Sequence, residues 1–530
     1  MHLLRAIVCK RRGWQLYNGF DRFGREVIKQ WRQYTLNHFR DRFDYKFDYA
    51  GNRLSRDVPS FLNTNDDTDQ AFAYDGLQRL KAFDEGTQSG SSISGTPARE
   101  EDWTLDQLGN WPGFVQKAAG STTLDQTRYH NAVNEIDGNG GASITASTGT
   151  NWADPAYDTA GNMTSMPNSQ SLSANLTLKY DAWNRLVEVK NGGTTVQTNE
   201  FDGLGRRIVR VDSGASDTYD YYYNEDWQLL EERKDGVAYP LSQYVWHPYY
   251  IDALAIRYYD SNTDNMGIVD YYYCHDANFN VTAVLDNTGV VVERYDYTPY
   301  GQVTVLNPDF SLDSSGMGDG LTDIGNTHFY TGRELDLETG LQLNRMRFYA
   351  SWLGRWVTRD PIGYNAGDLN LYNYVKGSPA AHSDPSGEIT MIDSVSRTML
   401  KCGKSLVKPP NIPKFCSCAC LGDLKCEKAC NNCLGTGASG GAGYCLCIAF
   451  GGTPAECRNI GPPPTAPTPG PAPPVVPPVQ PPRRKCPIYV KCTPIFGSPL
   501  CWCDVFYNGE DYSGIQACSI GGIFENIFKN

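Results

Sequence analysis

The stretch from Lys179 to Val211 reads KYDAWNRLVEVKNGGTTVQTNEFDGLGRRIVRV, and it makes the same statement twice. An aromatic residue and an aspartate are followed by a Gly or Asn, an Arg, and then alternating aliphatic residues. The aromatic residue ends one strand, the Asp with Gly or Asn makes a turn, and the aliphatic alternation starts the next strand. Further copies are FDYAGNRLSR at 47–56, AYDGLQRLKAF at 73–83 and AYDTAGNMTSM at 156–166, with a degenerate LDQLGNW at 105–111. Adjacent copies are 27, 23 and 21 residues apart between their aspartates, which is room for one β-hairpin each. VTAVLDNTGVVVERYDY, from Val281 to Tyr297, is the plainest hairpin, two β-branched runs around Asp286 to Gly289. The fold class expected is mainly β: consecutive antiparallel hairpins that bury their faces on their neighbours and so build long continuous sheets. The only interruption expected is short helix near residues 98–108.

Composition agrees with a β-rich body. The 530 residues include 33 Tyr and 52 Gly, with a net charge of −13. No apolar run reaches the length of a membrane span, and MHLLRAIVCKRRGW has its basic cluster after a short apolar run, the reverse of a secretory signal. The start reads as an arbitrary cut in a longer protein.

Cysteine and charge divide the chain at one place. Only Cys9 and Cys274 precede residue 400, and the other 15 of the 17 cysteines lie between Cys402 and Cys518. From Ile389 onward there are 13 Lys and Arg against 8 Asp and Glu, so an acidic body carries a mildly basic tail.

The repeats, together with YTPYGQV (297–303), FYTGRELDLETGLQLNRMRFYASWLGRWVTRDPIG (329–363) and LNLYNYV (369–375), resemble the Rhs, or YD-repeat, family and its repeat-associated core. The resemblance covers about residues 15–388. It implies a spiral β-sheet forming a shell, of which this chain supplies part, closed at one end by the core segment and followed by a variable tail. The expected domains are a repeat array at 1–295, the core segment at 296–388, a cysteine-rich module at 389–457, a proline-rich linker at 458–485 and a second cysteine-containing module at 486–530.

Within the core, RDPIGYNAGDLNLYNYVKGSPAAHSDPSG (359–387) carries two Asp-Pro-x-Gly units. Each is turn chemistry by itself. Among family members with a self-cleaving core, the resemblance gives two aspartates of this segment the part of an aspartyl protease pair, with the cut just after the second unit. Carried over, Asp360 and Asp384 are the carboxylates, Arg359 the neighbour that keeps one ionised, Asp368 a weaker third candidate, and Gly387 to Glu388 the junction. Such a pair needs one protonated and one ionised carboxyl sharing a water. The chain departs from the family pattern at Ser378, where Asn precedes Pro, and at Glu388, where Leu is usual. Enzymatic activity extends at most to this self-cleavage; the other reading of the segment is an end-plug made of turns.

In the tail, 12 of the 22 residues at 461–482 are proline, a polyproline II spacer. Ten cysteines precede it and five follow. Disulfides formed after export are the expectation; zinc at Cys430 and Cys433 matches no familiar spacing. All seven histidines lie at or before His382, which excludes from the tail a His general base and the His-x-Glu deaminase signature. No cofactor or metal is expected, and no nucleic acid as partner. Asp260, Asn262 and Asp264 begin like a calcium loop, but Asn265 stands in the place of its Gly. His247 and the His275–Asp276 pair read as core-edge residues.

Two functions compete: a secreted, polymorphic toxin-like Rhs protein whose shell encloses or displays its own tail, and a structural or adhesive surface protein that meets carbohydrate or a neighbouring cell. Both place the protein outside the cell or on its surface.

Overall fold

The structure is a computed structural model that describes residues 4–6, 19–21, 23, 25–33, 38–63, 67–248, 250–313, 322–388 and 391–392, with strands at 488–494, 500–507, 510–511 and 514–517. It divides into two compact units, Met1–Asn459 and Ile460–Asn530. In the second, Leu500–Tyr507 pairs antiparallel with Ile488–Pro494, Glu510–Asp511 and Gly514–Ala517. The expectations for the first cysteine-rich module, the proline spacer and the disulfides fall outside the described residues.

The first unit is built from two large antiparallel sheets. A ten-stranded sheet runs from Leu4–Ala6 to Ile144–Thr148, and a fourteen-stranded sheet runs from Ala156–Tyr157 to Val303–Leu306, its strands in chain order. Both are open sheets rather than closed barrels. A four-stranded sheet runs from Glu334–Asp336 to Arg355–Trp356, within the stretch 296–388 expected to be the core segment.

The turn aspartate explains why the hairpins line up. The Asp181 carboxylate accepts the Trp183 and Arg185 amides at 2.9 and 3.0 Å and the Arg185 Nε at 2.7 Å. Arg185 then donates through Nη1 to the carbonyl of Asp202, the aspartate of the next repeat, at 3.0 Å. Arg25 reaches Asp48 O and Arg79 reaches Asp106 O in the same way, at 2.7 and 2.6 Å. The residue before the Arg has positive φ, +60° at Asn184 and +89° at Gly205, which is why Gly or Asn recurs there. A repeat with this arginine is thus fastened to its own turn and to its neighbour's, and at Asp48, Asp106 and Asp158 an asparagine takes the arginine's place on the aspartate.

Strand faces alternate as the sequence predicts: in Ser121–Arg128 the residues Leu124, Gln126 and Arg128 are buried between exposed ones. The buried faces meet in an aromatic-rich core that includes Trp103, Trp111, Phe114, Tyr300, Tyr349, Trp356 and Tyr374. The early strands of the first sheet also pack on the last strands of the second through polar contacts. Trp31 Nε1 donates to His275 O at 2.8 Å, Arg53 to Asn278 Oδ1 at 2.8 Å, and Arg56 pairs with buried Asp296.

One expectation is corrected. Residues 98–108 form no helix: Arg99–Thr104 is a strand paired on both sides, with Glu101 and Trp103 buried, and the next turn starts at Asp106. The period-2 burial of REEDWT, with sheet neighbours on both edges, overrides its helix-favouring glutamates. The only helices among the described residues are short 3-10 segments, Tyr330–Gly332, Gly363–Ala366 and Val375–Gly377.

Burial alone would raise the carboxyl of Asp181, but the Arg185 amide, the Arg185 side chain and the Trp183 amide hold it below its ordinary value; Asp75 and Asp202 behave alike. A carboxyl depressed in the folded state gives stability present above its unfolded pKa and lost as pH falls through the folded one. The array therefore loses stability below about pH 4. Asp181→Ala should cost about 2 kcal/mol in denaturant unfolding at pH 7, and most of that difference should vanish near pH 2.

Candidate functional site: two aspartates on one arginine

Both Asp-Pro-x-Gly units form turns that their own aspartates cap. Asp360 Oδ1 accepts the Ile362 amide at 3.0 Å, and its carbonyl accepts the Gly363 amide at 2.9 Å. Asp384 Oδ1 accepts the amides of Gly387 and Glu388 at 2.9 and 3.2 Å and the Ser386 hydroxyl at 3.1 Å. The turn chemistry read from the sequence is real, and it aims the second oxygen of each carboxylate at a common point.

That point is Arg347, in the strand Arg347–Ala350. Its Nη2 lies 3.0 Å from Asp360 Oδ2 and 3.6 Å from Asp384 Oδ2. The two carboxylates therefore stand no farther apart than those two distances laid end to end. The guanidinium is 4.2 Å from the Trp356 ring centroid, its Nη1 donates to Leu371 O at 3.2 Å, and its Nε donates to the carbonyl of Gly387.

The segment carrying Asp384 lies along the 344–347 turn. Asn344 Nδ2 donates to Asp384 O at 2.8 Å, the Met346 amide to Ser386 O at 3.1 Å, and Arg345 to Pro385 O. Gly387 has φ of +75°, and a Cβ there would sit 2.5 Å from Asn344 O and 3.0 Å from the Arg347 amide nitrogen. Only glycine allows this approach. The Gly387–Glu388 peptide is consequently held from both sides, its carbonyl on Arg347 and its amide on Asp384.

Burial is the largest influence on each charge here. It raises Asp360, with Arg347 opposing and Asp368 adding to the rise. Glu388 is raised by burial and by Asp360, again against Arg347. Arg347 is lowered by burial, while Asp360, Asp384 and Glu388 work to keep it charged. Three carboxyls around one cation favour uptake of a proton.

The structure does not put Arg359 in this group. Its Nη2 donates to Glu135 Oε1 at 2.7 Å and its Nε to the Tyr372 hydroxyl at 3.1 Å. Tyr372 donates in turn to Gly161 O at 2.7 Å. Glu135 belongs to the end of the first sheet and Gly161 to the start of the second, so Arg359 bridges the gap between them. A Cβ on Gly161 would collide with that guanidinium. Arg347 takes the place beside the aspartates that adjacency in sequence suggests for Arg359. Its signal is an arginine in the otherwise apolar strand RFYA, a position that must be buried on both faces of a central strand. Asp368 accepts the Asn370 amide at 2.9 Å and Asn373 Nδ2 at 3.1 Å and touches neither aspartate.

The remaining candidates sit elsewhere. Asp260 accepts the Asn262 and Asn265 amides of its own hairpin loop at 3.3 and 2.6 Å. The rings of His247 and His275 lie 6.3 Å apart beside Trp31. Among the described residues no group of three or more His, Cys, Asp or Glu is placed to hold a metal, and no helix is long and apolar enough to cross a membrane.

An open antiparallel array of turn-locked hairpins is the Rhs-like β-shell fold. A Tc holotoxin pore structure from Photorhabdus luminescens matches it with a TM-score of 0.53 at 19% identity, covering 70% of this chain and 18% of that one. No family model matches the chain. Among curated proteins it is similar to a tRNA3(Ser)-specific nuclease WapA of Bacillus spizizenii, 25% identical over 291 residues that cover 54% of this chain and 11% of the relative. It is also similar to double-stranded DNA deaminase toxin A of Burkholderia cenocepacia, 28% identical over 255 residues, 44% of this chain and 16% of the relative. The chain thus spans a tenth to a sixth of the length of these curated relatives, and they are toxins and nucleases of different activities.

Arg347→Met should cost about 3–5 kcal/mol by leaving two buried carboxylates facing each other. Arg359→Met and Gly161→Ala act on one contact, so their effects in a double-mutant cycle should fall well short of additive. Denaturant titration of Arg347→Met and of the four proteins of the cycle measures both.

Proposed function

We propose that this chain is the shell-and-plug portion of a polymorphic toxin-like Rhs protein, which holds its own variable tail and cuts itself between Gly387 and Glu388. The observation that carries this is the clamped Gly387–Glu388 peptide, with its carbonyl on Arg347, its amide on Asp384, and Asp360 on the same arginine. Arg347 draws electron density from the carbonyl and is placed for the oxyanion that forms there. Asp384, ionised under its three donors, is the base that takes a proton from a water, and Asp360, the carboxyl raised by burial, supplies one to the departing nitrogen. The water oxygen bonds to the Gly387 carbonyl carbon, the bond to Glu388 breaks, and Glu388 becomes a free amino terminus. No metal or cofactor takes part.

The comparisons support the toxin-like half of this reading. The nuclease and deaminase relatives carry different activities by name, as expected if the matched region is a carrier and the activity lies in what it carries. Secretion or display at the cell surface follows from the same likeness. The domain limits proposed are those of the sequence: the array to residue 295, the core segment to 388, two cysteine-bearing modules and the spacer between them.

Mass spectrometry of the purified full chain should find an amino terminus at Glu388. Asp360→Asn or Asp384→Asn should slow the cut by about 100-fold or more, and Asp368→Asn should matter less. Glu388→Leu removes a carboxyl that competes for Arg347 and should speed it. An intact chain in wild type and Glu388→Leu alike would leave the segment as an end-plug.

A further inference from the structure

Two arginines where the first sheet meets the core segment have no acid to answer them. Arg128 ends the strand Ser121–Arg128 and is 2% exposed. Its Nε donates to Gln126 Oε1 at 2.6 Å and its Nη1 to Leu353 O at 3.3 Å, both neutral acceptors, and its Nη2 has no partner. Aromatic rings wall it in, with centroids 4.9 Å away at Trp111, 5.3 Å at Phe114 and 5.1 Å at Trp152.

Arg355 stands beside it, 6% exposed. It donates to Asn134 O and lies 4.8 Å from the Tyr372 ring centroid, and its Nε has no partner. Among the described residues neither arginine forms an ion pair. Arg347, by contrast, is surrounded by carboxyls, and buried Arg207 has Asp336 at 2.7 Å. Ring faces help a cation but do not neutralise it, and two buried guanidiniums side by side are strongly unfavourable without a counter-charge.

The neighbourhood registers that imbalance. Burial, with Arg355 adding to it, pushes Arg128 down to about 9. Burial and then both arginines push His130 down to about 3. All three side chains line one cavity of about 20 Å³, together with Asn110, Trp111 and Asn373. That is room for one water-sized occupant and too little for a phosphate or sulfate group.

We propose that this cavity binds a single inorganic monoanion of chloride size between Arg128 and Arg355. Nη2 of Arg128 and Nε of Arg355 are the donors left over for it. The anion joins the first sheet to the core segment at the point where the fourteen-stranded sheet has not yet begun. It is a structural ligand, independent of whether the Gly387–Glu388 bond is cut.

The test compares chloride with gluconate at equal ionic strength on the full chain. Thermal unfolding should shift upward by a few degrees as chloride replaces gluconate and then level off, with bromide equivalent to chloride. In Arg128→Met the chloride-minus-gluconate difference should disappear. A crystal soaked in bromide should show anomalous density between Arg128 and Arg355. Equal unfolding curves in the two salts overturn the proposal, as does a chloride effect that Arg128→Met retains. Should that variant fail to fold, the bromide map decides: density in the cavity sustains the site, and its absence removes it.

Discussion

One carboxylate per repeat sets the geometry of the array. The turn aspartate gathers amides of its own turn and the side chain four residues on, an arginine at Asp75, Asp181 and Asp202 and an asparagine at Asp48, Asp106 and Asp158, and the arginine reaches the carbonyl of the following turn. Hairpins alone would stack with freedom to slip in register, because strands of period 2 can re-pair two residues along. A contact that leaves each turn and ends on the next removes that freedom. The sheets can then be long and open while the strands follow chain order, interrupted only in the first sheet, where Leu80–Gly86 pairs with Arg99–Thr104 past a small separate hairpin.

The repeats were legible because the half of this interaction inside each turn is local: the amides and the side chain that the Asp gathers lie within four residues of it, and the spacing between aspartates gives the strand length directly. The misplaced helix at 98–108 shows where local reading fails, since Glu101 is buried through pairing with strands on both sides that the segment itself does not reveal. At the candidate site, the doubled Asp-Pro unit was visible and its convergence is real. The arginine was not visible: Arg347 reaches Asp360 across 13 residues and Gly387 across 40, whereas Arg359, adjacent in sequence, turns the other way to Glu135. Adjacent residues on an extended chain point to opposite faces, so the neighbour of an acid is a poor guess for its partner.

The turns and the candidate site are one structure. The backbone capping that makes Asp384 a turn residue fixes the oxygen that faces Arg347, and the glycine that ends the turn is the only residue that lets the chain lie against Asn344. Preorganisation of this kind comes from backbone hydrogen bonds and needs few dedicated side chains. The same economy appears at the gap between the sheets, where Arg359 and Tyr372 serve turns on both sides.

The core segment touches turns that are far apart in the chain: Asn370 bonds Asn110, Arg355 bonds Asn134 O, Tyr372 bonds Gly161 O, and Asp336 takes Arg207. The hairpins, by contrast, take their strand partners from close by in the chain, which is cheap in contact order. A ribosome delivering this chain from its amino terminus would therefore let the sheets zip up strand by strand, while the segment that joins them waits until the last hairpin has emerged. Closure then works as a check on completeness, because a missing or slipped hairpin anywhere along the row leaves the late-arriving segment without its full set of landing points.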